Sequence, residues 1–164
     1  MTDRRQIYLD CDGVLADFDA GARRVLGMSS HAYRHAHGNA QFWKVLALEP
    51  DYFGTLDLMP DALQLYAAVE HLNPIILTGM PVGLWADPQK RRWAARHFPD
   101  VPVITTRAAL KRDHCQPGDV LVDDRDQYRD LWEAAGGLFV LHRSARGSIA
   151  ALARLGFDVR TPAA

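Results

Sequence analysis

The stretch "IYLDCDGVLADFD", Ile7 to Asp19, decides how this chain is read. A short apolar run leads straight into Asp10, and Asp12 follows two residues later, just ahead of Gly13. Two carboxylates at the end of a buried strand repel each other. The pair therefore requires a cation, a proton or a shared chemical task. Glycine at position 13 permits a tight turn behind them.

Working outward, strand signals recur with helical stretches between them. They fall at residues 5–10, 73–79 (the apolar run "NPIILTG"), 101–106, 119–124 and 137–142. Continuous apolar runs of this kind belong to parallel sheets covered on both faces. Ala62, Leu65, Tyr66, Val69 and Leu72 keep helical spacing behind Pro60. Asp87-Pro88 opens a second helix, with Trp93, Ala94 and His97 on one face, and Asp126 is placed to cap a third. Ser144 to Leu155 gives the last helix. Strands alternating with helices predict an α/β fold: a Rossmann-like three-layer sandwich around a five-stranded parallel sheet.

Between Asp17 and Pro60 the alternation breaks. About forty residues pass without a convincing strand, longer than a plain connection in a compact unit. "FDAGARRVLG" reads as a helix, and residues 32–60 as one or two helices with an extended return. The expected organisation is a core of residues 1–16 and 61–164, with residues 17–60 as a small helical cap. That cap is inserted after the first strand, over the carboxyl edge of the sheet.

The 164 residues suffice for a sizeable core without staples. A net charge of -1 gives no basic surface for polymeric nucleic acid or an anionic membrane. Cys11 and Cys115 make neither a disulfide framework nor a zinc spacing. No signal-peptide pattern or membrane-spanning apolar run is found, so the expected setting is cytoplasmic, as a monomer or homodimer. His31 and His35 fall one turn apart without further ligands nearby, so no metal site is expected there.

In open parallel sheets, sites form at the carboxyl ends of the strands. The first strand delivers Asp10 and Asp12 there, the second Thr78 and Gly79, and the fourth Asp123 and Asp124. Lys111 comes from the segment after the third, with Lys90 as the rival lysine; the one not used is expected on the solvated surface. Such hard oxygen ligands suit Mg²⁺, which binds through one or two carboxylates plus substrate phosphate. One aspartate is then left as a nucleophile. Thr78, the Gly79 N–H and Lys111 would hold phosphate oxygens.

These residues, in this order, resemble the haloacid-dehalogenase-like (HAD) phosphohydrolase superfamily. Asp10-Cys11-Asp12-Gly13-Val14 matches its first motif, Thr78 its second, Lys111 its third and Asp123-Asp124 its fourth. The resemblance implies that Asp10 attacks phosphorus to form an aspartyl-phosphate, while Asp12 serves as general acid and then base. It further implies Mg²⁺ held by Asp10, the Asp12 carbonyl and Asp124, with Asp123 acting through water or orienting Lys111.

"DCDGVLADF", "FWKVL", "DYFGTLDLMPDA", "TTR" and "LVDDR" are closer still to the 5'(3')-deoxyribonucleotidase family. That resemblance implies a nucleoside monophosphate as substrate and a pocket of Phe18, Phe42, Trp43 and Phe53, with Arg107 and Arg125 nearby. Two departures stand out: the spacing from Arg107 to Lys111 is longer, and Lys44 follows the Phe-Trp pair where an apolar residue is expected. Adjacent helical residues do not share a face, so at most one of Phe42 and Trp43 is expected to pack the insertion while the other faces the substrate. Competing readings are a phosphatase of another small ester, such as a sugar phosphate, and more remotely a phospho-receiver or non-catalytic phosphate-binding module.

Overall fold

The computed structural model describes residues 4–161. Its strands are β1 (Ile7–Leu9), β2 (Ile75–Gly79), β3 (Val103–Thr106), β4 (Val120–Asp123) and β5 (Leu138–Leu141). They form one parallel sheet in the order β3-β2-β1-β4-β5. The strand that carries the opening stretch is thus central, with all three residues buried. Tyr8 stands opposite Ile75 on one side and Leu121 on the other.

Seven α-helices surround the sheet among the described residues: α1 (Phe18–Leu26), α2 (Ser30–His37), α3 (Asn39–Leu48), α4 (Ala62–Val69), α5 (Ala86–His97), α6 (Arg129–Ala134) and α7 (Ala145–Arg154). None is long and apolar enough to cross a membrane. The strands' alternation divides the core between two faces. Ile7, Leu9, Ile76, Val120 and Val122 pack with Leu65 of α4, Trp93 of α5 and Ile149 of α7. Tyr8, Leu77 and Leu121 turn the other way, onto Trp132 of α6 and Cys115. The result is the expected three-layer α/β sandwich.

Local differences from the expected elements have local causes. The 62–72 helix closes at Val69 and continues as a 3₁₀ turn, Glu70–Leu72, which ends on Asn73 at φ 53. Asp126 does not cap α6. Tyr128 holds the N-cap position, and the Asp126 carbonyl instead accepts a hydrogen bond from the Arg129 N–H. Ser144 does cap α7, through the Gly147 N–H.

The stretch between β1 and α4 holds three helices. Its outgoing and returning chains meet at a short antiparallel neck, where Asp17 N donates to Asp57 O (2.8 Å) and Met59 N to Leu15 O (2.7 Å). The returning segment is then fastened to α5. Phe53 N donates to Gln89 Oε1 (3.0 Å), Trp93 Nε1 to Leu56 O (2.8 Å) and Arg96 Nη1 to Gly54 O (2.9 Å).

Trp93 therefore joins two roles, filling the core at 1% exposure and holding the neck through its indole N–H. Trp93→Ala is expected to cost about 3–5 kcal/mol in denaturant unfolding. Trp93→Phe, which keeps most of the volume, should cost about 1–3 kcal/mol, the scale of one orphaned buried acceptor.

Candidate active site

The register that centres β1 also brings its end beside that of β4. Leu9 pairs with Val122, and Asp10 N donates to Val122 O at 2.9 Å, so Asp10 emerges next to Asp123. Gly13 then turns the chain at φ +81, and a Cβ there would collide with Asp124 Oδ2. Glycine is required at this position twice over, for its backbone angle and for the approach of Asp124.

Asp10, Asp123 and Asp124 each offer an oxygen to a group lying within 4.8 Å. Lys111 enters from the 3₁₀ run Ala108–His114 and donates to Asp10 Oδ1 (2.9 Å) and Asp123 Oδ2 (3.0 Å). The sequence rival, Lys90, is equally enclosed, at 3% exposure. It donates to Asp12 Oδ2 (2.7 Å), Thr78 Oγ1 (2.9 Å) and Gly79 O (2.8 Å). The expectation that one of the two lysines would be a solvated surface residue is thus corrected: both are buried, and each donates to one carboxyl of the Asp10/Asp12 pair. The signal was in the sequence, because Lys90 lies three and four residues before Trp93 and Ala94, on the apolar face of α5.

The paired carboxyls are shifted in opposite directions. Burial alone would raise Asp10, but the charge and hydrogen bond of Lys111, with Lys90 beyond, hold it below the ordinary carboxylate value. Asp12 goes the other way: burial raises it most, Lys90 opposes, and the Asp10 charge adds to the rise. Asp12 Oδ1 is buried with no hydrogen-bond partner, which also favours a proton on this group. Burial and then the Asp10 charge push Asp123 up to about 6 and Asp124 up to about 8, and Asp124 shares a hydrogen bond with Asp10. Three hard oxygen donors, two of them short of positive charge near neutral pH, fit a hard dication such as Mg²⁺. The Asp12 carboxylate is not part of this group; its Oδ2 accepts from Lys90.

A cleft of about 1010 Å³ opens over these strand ends. Asp10, Asp12, Gly79, Lys90, Lys111, Asp123 and Asp124 line its floor, and Phe18, Arg34 and Trp43 contribute from the helical stretch. Three expected site residues do not line it. Phe42 is fully buried, within 5.0 Å of the Trp43 ring and 6.2 Å of Phe18, so of the adjacent pair it packs and Trp43 faces the cleft. Phe53, at 2% exposure, lies beneath the Lys90 ammonium (4.6 Å) and against Trp85 (5.3 Å). Thr78 is sealed behind Lys90, whose hydrogen bond its hydroxyl accepts. Arg107, Arg112 and Arg125 also border the cleft.

No protein-family model and no curated protein matches the sequence. Solved structures do. L-2-haloacid dehalogenase from Xanthobacter autotrophicus superposes with a TM-score of 0.53 at 17% identity, over 82% of this chain and 76% of that one. A HAD-family hydrolase from Deinococcus radiodurans R1, whose structure contains phosphate and sodium, gives 0.49 at 16% identity, over 92% and 87%. At these identities the likeness is one of fold. The chain has the HAD-like α/β fold, in agreement with the expected class.

The raised carboxyls make stability depend on pH with a definite sign. Asp123 and Asp124 keep protons in the folded chain that the unfolded chain releases near 3.8. The folded state binds more protons above that value, so its stability falls as pH rises towards about 8. Mg²⁺ added in a thermal melt is expected to raise the Tm, and to raise it more at about pH 8 than at about pH 5.5. Asp124→Asn should raise the Tm without Mg²⁺ and remove the gain on adding it. A Mg²⁺ gain that ignores pH, or survives Asp124→Asn, contradicts this assignment.

Proposed function

We propose that this chain is a Mg²⁺-dependent phosphomonoesterase that works through an aspartyl-phosphate on Asp10 and takes nucleoside 5'-monophosphates, ribo or deoxy. One observation carries the reading: the two carboxylates of the opening stretch, two residues apart and each bonded by its own buried lysine, are pushed in opposite directions from the ordinary carboxylate value, Asp10 down and Asp12 up. That divergence is what a nucleophile and a general acid working on one phosphorus require.

In this reading Asp10, kept ionised by Lys111, attacks phosphorus, and the ester P–O bond breaks. Asp12 gives its proton to the departing oxygen. Lys90, at 2.7 Å, then steadies the Asp12 carboxylate. That carboxylate next takes a proton from water. The water oxygen bonds to phosphorus, the Asp10–phosphorus bond breaks, and free phosphate and the Asp10 carboxylate are restored. Lys111 and the Gly79 backbone hold phosphoryl oxygens, and Thr78 acts through Lys90. Mg²⁺, held by Asp10, Asp124, Asp123 and the Asp12 carbonyl, would supply positive charge against the phosphoryl oxygens.

Residues 17–60 act in this proposal as a cap over a core of 1–16 and 61–164. The cap presents Phe18 and Trp43 to the cleft, a π-surface suited to a nucleobase. A small diffusible substrate in the cytoplasm, met by a monomer or homodimer, completes the reading. Another small ester such as a sugar phosphate is the alternative, and a planar-ring requirement separates the two.

Turnover should fall to background in Asp10→Asn, with an unchanged circular dichroism spectrum and melting cooperativity. Asp12→Asn should lose about 10²–10⁴-fold in kcat. In a Mg²⁺-supplemented panel, nucleoside monophosphates should outrun sugar phosphates. Trp43→Ala should weaken kcat/KM for nucleotides by about 5- to 100-fold, the worth of one stacked base. Full activity in Asp10→Asn sinks the nucleophile assignment, and inert nucleotides beside active sugar phosphates sink the substrate.

A further inference from the structure

The cleft holds positive charge that the proposed phosphoryl chemistry does not use. Arg34 lines it from α2, and Arg125 from the loop directly after β4. Among the described residues, no acidic side chain pairs with either guanidinium. Asp19, the acidic residue the cap contributes to the cleft, is already engaged by Arg23 Nε (3.4 Å) and Ser30 Oγ (3.1 Å).

Arg34 is held in an unusual way. Its guanidinium carbon lies 4.0 Å from the Phe42 ring centroid and 5.5 Å from that of Trp43, so one face is covered by aromatic rings. Its Nε is buried and has no hydrogen-bond partner. What remains is the donor-bearing edge of a fork fixed by stacking, the part of arginine that matches a carboxylate or phosphate in bidentate fashion. Arg34 and Arg125 line the same cleft, and burial, with next the charge of Arg125, holds Arg34 below its usual value. An anion in the cleft would meet the terminal N–H groups of Arg34, which no acidic side chain engages among the described residues, and would offset the charge of both arginines.

We propose that Arg34 and Arg125 form a second anion subsite, and that the substrate is a phosphate ester bearing another acidic group, phosphate or carboxylate, beyond the ester that is cleaved. The proposal rests on the phosphomonoesterase reading for the word ester, but the subsite itself is a statement about binding. In nucleotide terms the favoured substrate is a nucleoside bisphosphate over the matching monophosphate. The subsite also joins cap to core, since Arg34 belongs to the inserted helices and Arg125 to the sheet's edge.

Two matched pairs test it with Mg²⁺ present: adenosine 3',5'-bisphosphate against adenosine 5'-monophosphate, and 3-phosphoglycerate against glycerol 3-phosphate. In the wild-type chain kcat/KM should favour the doubly acidic member of one pair by about tenfold or more, the scale of one charge-assisted bidentate contact. Whichever pair shows it identifies the second group. Arg34→Gln and the exposed-loop variant Arg125→Gln should each bring the ratio towards one, and Arg34→Lys should retain part of it. A wild-type ratio near one in both pairs, or a ratio untouched in both glutamine variants, overturns the subsite. The same four compounds titrated by calorimetry into Asp10→Asn give the same ratio from binding alone. If the wild-type chain cleaves none of them, the phosphomonoesterase reading fails. A calorimetric preference for one doubly acidic member, lost with Arg34→Gln added, then still upholds the subsite, and equal affinities overturn it.

Discussion

Lys111 reaches across the end of the sheet to bond Asp10 and Asp123 at once, and the rest of the site depends on that single ammonium. Four carboxylates, Asp10, Asp12, Asp123 and Asp124, crowd the carboxyl ends of β1 and β4, and the sheet itself offers no positive charge. A buried pair of this kind gives little net stability, because desolvation offsets the attraction. Its effect is to set the two carboxyls of the opening stretch apart, Asp10 below the ordinary carboxylate value and Asp12 above it. Lys111 selects Asp10, while Lys90 only partly offsets the burial of Asp12. Asp123 and Asp124, pushed up to about 6 and about 8 by burial and the Asp10 charge, are groups whose ionised form a dication would stabilise.

The fold positions this chemistry by simple means. A central parallel strand buried on both faces has nowhere to place polar groups except past its end, and there the tight turn at Gly13 lets the backbone lie against Asp124. The helices inserted after β1 return to α5, the same helix that carries Lys90. Phe53 links the two, since its N–H bonds Gln89 and its ring lies under the Lys90 ammonium. The root of the inserted helices and the lysine that bonds Asp12 therefore share one helix. Movement of that root would be felt directly at Asp12.

Much of this was legible from residue patterns. The five strands, the acidic ends of β1 and β4 and the helical interruption follow from apolar runs, alternation and a gap too long for a loop. Side-chain direction was not legible where packing decides it. Phe42 and Trp43 are neighbours with opposite fates, and only the packing of the inserted helices shows that Trp43 faces the cleft. Thr78 reads as a phosphate contact, yet its hydroxyl is covered by Lys90. Lys90 was visible as a cation on an apolar helix face, but its partner seventy-eight residues away was not. Arg34 carried no signal in its spacing, because its distinction is an unpartnered Nε and a ring beneath it.

The central claim is that Asp10 carries the phosphoryl group. The direct measurement is rapid acid quenching of Asp12→Asn during turnover of a phosphate ester, followed by mass analysis of the peptide holding residues 7–19. The account predicts a phosphoryl adduct on Asp10, removed by base, and absent when Asp10→Asn is added. Steady turnover with no adduct on Asp10, or with the adduct on another residue, would contradict it.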